Sequence, residues 1–161
     1  MNRRSLLIST AGLVGAAALA GCAGTTSDQL TNDVTLLVNG LGAVVTTLSD
    51  PALKVPAATL AQIQAALADL QSNAAAIGTA LAPNSNTVQA IGNAVSALAA
   101  LATPFFPLSP VVAMVVQAAL ALIPTILSFV NAPSPAGAAA NSMNADQARL
   151  VLKAAPAMLK H

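Results

Sequence analysis

Glutamate, tryptophan and tyrosine are absent from this chain, and cysteine and histidine occur once each. Charged residues make up 7% of it, where about a quarter is usual. These gaps exclude most chemistry. His161 is the last residue, where a fraying end cannot hold a base in position. No two of the five aspartates form a helical i, i+3 or i, i+4 pair; Asp28 and Asp33 suit a helix N-terminus better than acid–base work. No serine sits in Gly-x-Ser-x-Gly, and Gly40-Leu41-Gly42 lacks the rest of either phosphate-binding fingerprint. A zinc or iron site has no ligand set. The chain reads as a non-enzyme with no cofactor and no metal.

What is present begins at the N-terminus. Arg3 and Arg4 precede an uncharged apolar run from Ser5 to Gly21, which ends in Leu19-Ala20-Gly21-Cys22. A basic start, an apolar stretch and small residues at a cleavage point make an export signal. With the only cysteine directly after the cut, this box resembles the bacterial lipoprotein signal, a resemblance confined to residues 1–23. It implies that the Cys22 thiol is acylated and that Cys22 becomes the new N-terminus. Ala23, rather than Asp, implies sorting to the outer membrane in a Gram-negative cell. Asn2-Arg3-Arg4-Ser5-Leu6-Leu7 also resembles a twin-arginine signal, so two export routes stay open, that one and general secretion.

Removing residues 1–21 takes away two basic residues and leaves Lys54, Arg149, Lys153 and Lys160 against five aspartates, a net charge of about −1. Nucleic-acid binding needs a clustered basic footprint, and none remains. Acylation of Cys22 would also consume the one thiol.

About 140 residues follow the cut, enough for one domain with a modest core. Residues 22–29 read as the lipidated cysteine and a flexible tether, 30–130 as a helical bundle, 131–143 as a Pro/Ala linker and 144–161 as a C-terminal helix. Apolar residues carry the bundle reading. Leu30, Val34, Leu37, Leu41, Val44 and Leu48 step by four and three. So do Leu60, Ile63, Leu67, Leu70, Ala74, Ile77 and Leu81, and then Val88, Ile91, Val95, Leu98 and Ala102. That spacing predicts helical stripes, and no stretch alternates as a strand would. Prolines 51, 56, 83, 104, 107 and 110 punctuate the runs, with Ser85 or Asn86 available to cap the third helix. Pro156 predicts a kink or a division in the last helix. The fold class expected is all-α: an Ala-rich antiparallel bundle of four or five helices after the signal segment.

No formal charge occurs from residue 70 to 145. Within this stretch Val111–Val130 is long and apolar enough to cross a membrane. Pro124, which should divide it, and the lack of flanking Lys or Arg favour a core helix instead. A membrane segment and an oligomer interface are the alternatives. Arg149, Lys153 and Lys160 share a face of the last helix, which fits either contact with anionic headgroups or an ordinary solvated face. The function expected is a lipid-anchored, non-catalytic envelope protein of structural or interaction role. Its partners would be the membrane and either a second copy or another envelope protein. A membrane-active protein and a carrier of a small apolar ligand are the alternatives.

Overall fold

A computed structural model describes residues 11–79, 84–131 and 143–160, with side chains from Asp28 onward. Among these residues there are five α-helices and no strand: α1 (Ala11–Leu48), α2 (Ala57–Thr79), α3 (Ser85–Ala102), α4 (Pro110–Ser128) and α5 (Ala145–Met158). Helix α1 packs on α2, α2 on α3, α3 on α4, and α4 closes back on α1; α5 lies against α1 and α4. Short connections reverse the chain from α1 to α2, α2 to α3 and α3 to α4, giving an antiparallel arrangement of these four helices in an all-α bundle.

The stripes become the core. All six seam residues of α1 are buried, as are all five of α3. In α2, Ile63, Leu70 and Ile77 are buried, while Leu60, Leu67 and Ala74 are half-buried; Leu81 lies outside the described residues. The difference is positional, because α2 is an edge helix resting on α1 and α3. Helix α4 packs on α1, α3 and α5, and buries nine residues, among them Val115, Leu122, Ile123 and Ile126. A helix with neighbours on three sides needs apolar residues most of the way round, which accounts for its composition.

Three local expectations are corrected. Helix α4 continues through Pro124, although the ring removes a backbone donor that would have met the carbonyl of Leu120. Buried Leu122 and Ile123 before it and Ile126 and Leu127 after it hold the run together. Helix α5 likewise continues through Pro156, which falls in its last turn, where little helix remains to divide. The cap of α3 is Asn84, whose side chain accepts from the Asn86 amide at 2.9 Å. The backbone of α1 runs on through residues 23–29.

Other caps follow ordinary chemistry. Ser109 accepts from the Val112 amide, with Pro110 pre-set as the first helical residue. Asn144 and Gln147 form a reciprocal capping box at the start of α5. Exposed polarity is mostly neutral, and hydroxyls such as Thr35 and Thr46 donate to carbonyls four residues back.

Between α1 and α2, Asp50 caps a 3-10 turn over Pro51–Leu53, and Lys54 closes it with φ 51°. A side chain in this left-handed region costs free energy that glycine avoids. Lys54→Gly is therefore expected to stabilise the fold by about 0.5–1 kcal/mol, read as a rise of a few degrees in Tm. A lowered Tm would mean that the lysine stem contributes packing that outweighs the backbone cost.

Candidate functional site

Arg3 and Arg4 lie outside the described residues. Leu19, Ala20, Gly21 and Cys22 fall within the α1 backbone, and their side chains lie outside the described ones.

Of the three basic residues, Arg149 and Lys153 lie on α5 and Lys160 two residues past its end, and Arg149 is paired. The carboxylate of Asp33 accepts from Arg149 Nε on Oδ1 and from Arg149 Nη2 on Oδ2, each at 2.7 Å. Arg149 Nη1 donates to Asp146 Oδ1 at 2.8 Å, one turn back on the same helix. The Asp33 side chain is 2% exposed and that of Arg149 23%, so this bidentate fork is largely shielded from water. Hydrogen bonding to Asp33 is the main reason the guanidinium holds its proton more tightly than usual; burial opposes it, and Asp146 adds to it. Arg149 is thus committed to α1, and Asp33 is a buried ion-pair partner rather than a helix N-terminal charge. Lys153 and Lys160 are exposed.

Contacts along the two helices fix their relative direction. Arg149 meets Asp33, Leu152 meets Gly40, and the Leu159 carbonyl lies 3.5 Å from Thr47 Oγ1. The numbers rise together, so α5 runs parallel to α1. Lys160 consequently lies beside Thr46 and Thr47, at the C-terminal end of α1.

A cavity of about 120 Å³ lies between the two helices, lined by Ala43, Thr46, Thr47, Pro156, Leu159 and Lys160. Pockets for drug-sized ligands hold about 300–1,000 Å³, so this one suits a few waters. A larger open depression of about 560 Å³ is lined by Met143, Gln147, Leu150 and Val151, all from α5 and its approach. Leu150 there is 69% exposed, the largest exposure among the described large apolar side chains. Among the described residues no three His, Cys, Asp or Glu converge as a metal site.

Sequence reasoning missed the Asp33–Arg149 pair, because 116 residues separate its members and neither residue carries a motif. The one available signal is local: Asp33 directly precedes Val34 and so sits beside the apolar seam of its helix. No family model matches the chain, and neither a curated protein nor a solved structure does.

Proposed function

We propose that this is a lipid-anchored cell-envelope protein that acts by packing or binding rather than by catalysis. The observation that carries this reading is Leu19-Ala20-Gly21-Cys22 after an Arg3-Arg4 start. Acylation of Cys22 would place the lipid at the start of the retained helix. Thr47 would then stand roughly 37 Å further along α1, at 1.5 Å per residue. Lys160, beside Thr47, would then lie far from the anchoring membrane, and so would Lys153, which follows Leu152 at the level of Gly40, roughly 27 Å along α1 from Cys22. Exposed Leu150 gives α5 an apolar spot for a second copy or another envelope protein.

Cys22→Ala tests the anchor. In a bacterial host the wild-type chain is expected to incorporate a palmitate analogue and to sediment with membranes. The variant should lose the label and accumulate as full-length precursor. Label retained in the variant would sink the reading.

Membrane insertion is a second reading, favoured by the length and apolar composition of α4. Light scattering on detergent-free protein lacking the signal separates the two. A soluble, defined species supports the packed bundle. Aggregation relieved only by liposomes supports insertion, with vesicle leakage as the following assay.

A further inference from the structure

The surface of α1 beneath α5 differs chemically from the rest of the core. Toward the bundle interior α1 presents Leu30, Val34, Leu37, Leu41, Val44 and Leu48. Toward α5 it presents Asp33, Gly40 and Thr47, spaced by seven and so aligned on one stripe. Each receives a different group: a guanidinium on the carboxylate, the Leu152 side chain over the glycine, and a carbonyl near the threonine hydroxyl. Helix α5 fully buries only Ala148, Leu152 and Ala155, two of them with little side chain to hide.

We propose that α5 is a strap that opens as a unit while α1–α4 stay folded, with the Asp33–Arg149 pair as its clasp. The chemistry of the stripe makes opening accessible. When α5 lifts, water meets a carboxylate, a glycine and a threonine on α1, and Asp33 exchanges a guanidinium for solvent rather than remaining buried and unpaired. The same opening uncovers apolar surface of α4, which α5 shields in the closed state. The groove so formed, apolar on one wall with an acid on the other, fits an amphipathic helix carrying a basic residue three before a leucine, the pattern of Arg149 and Leu152. Helix α5 is its resident occupant.

Native-state hydrogen exchange on the full chain tests this. In the wild type, amides of α5 are expected to exchange faster than those of the buried stretches of α1, α3 and α4. Arg149→Met keeps the stem and removes the fork. It should speed exchange throughout α5 by roughly 10- to 100-fold, the usual worth of hydrogen bonds to a charged group. Amides of α2 and α3 should hold their rates, and Asp33→Asn should reproduce the pattern from the other side of the pair. Lys153→Met removes an exposed positive charge from the same helix and should change little. The proposal is overturned if wild-type α5 exchanges at one common rate with the other helices. It is also overturned if Lys153→Met loosens α5 as much as Arg149→Met does.

Discussion

Leu122→Asp is expected to abolish the cooperative fold of the bundle. Leu122 is fully buried on α4, the helix with α1, α3 and α5 for neighbours. Placing a carboxylate there deletes an apolar side chain from a packed site and strands a charge without a partner. Such changes cost more than about 4 kcal/mol, against a total stability of about 5–15 kcal/mol for an ordinary domain. Val115→Asp should behave the same way, since Val115 is equally buried. Met114→Asp is the control: the side chain is 36% exposed on the same helix, and its substitution should cost well under about 1 kcal/mol. Urea unfolding followed by far-UV circular dichroism reads all three. If α4 instead served in a bilayer, Leu122→Asp would spare the soluble helical signal and abolish vesicle leakage.

Gly40→Val should displace α5. A Cβ at position 40 would lie 2.6 Å from Leu152 Cδ2, 3.6 Å from Leu152 Cβ and 3.7 Å from its Cα. Leu152 is itself fully buried, so its Cδ2 must turn aside within a packed site or α5 must shift outward. Overpacking of this kind costs about 1–3 kcal/mol, and here it also pulls on the Asp33–Arg149 fork. Gly42→Ala, two residues on, meets nothing within 4 Å and should stabilise α1 by about 0.5–1 kcal/mol through helix propensity. Thermal unfolding should therefore move in opposite directions for the two variants, and Leu152→Ala should recover part of the loss in Gly40→Val. Equal behaviour at positions 40 and 42 would rule out the close approach of α5.

The helices and most of the core were legible because burial leaves a period in the sequence. The seams of α1 and α3 were read in full from steps of three and four, and every residue in them is buried. Leu60, Leu67 and Ala74 are only half-buried because periodicity tells which face of a helix is apolar, not how many neighbours cover it. Proline carries the same limit: at 124 packing on both sides of the ring carries the helix on, and at 156 the ring falls in the last turn. The capping box of Asn144 and Gln147 fixes the start of α5, a local signal the sequence reading passed over. Arg149, Lys153 and Lys160 illustrate what spacing cannot supply. Their separation by four and seven puts them on one face, but the first is taken by an aspartate from another helix, and that choice belongs to the tertiary fold.

The parallel course of α1 and α5 has a mechanical consequence. Tension applied between the N-terminal end of α1 and the C-terminal end of α5 acts along both helix axes, from opposite poles of the molecule. The two helices would then be sheared past each other rather than peeled apart. Under shear the ion pair at Asp33, the notch at Gly40 and the contact at Thr47 all bear load at once. A bundle that yields readily when one helix is lifted sideways would thus hold when drawn out lengthwise.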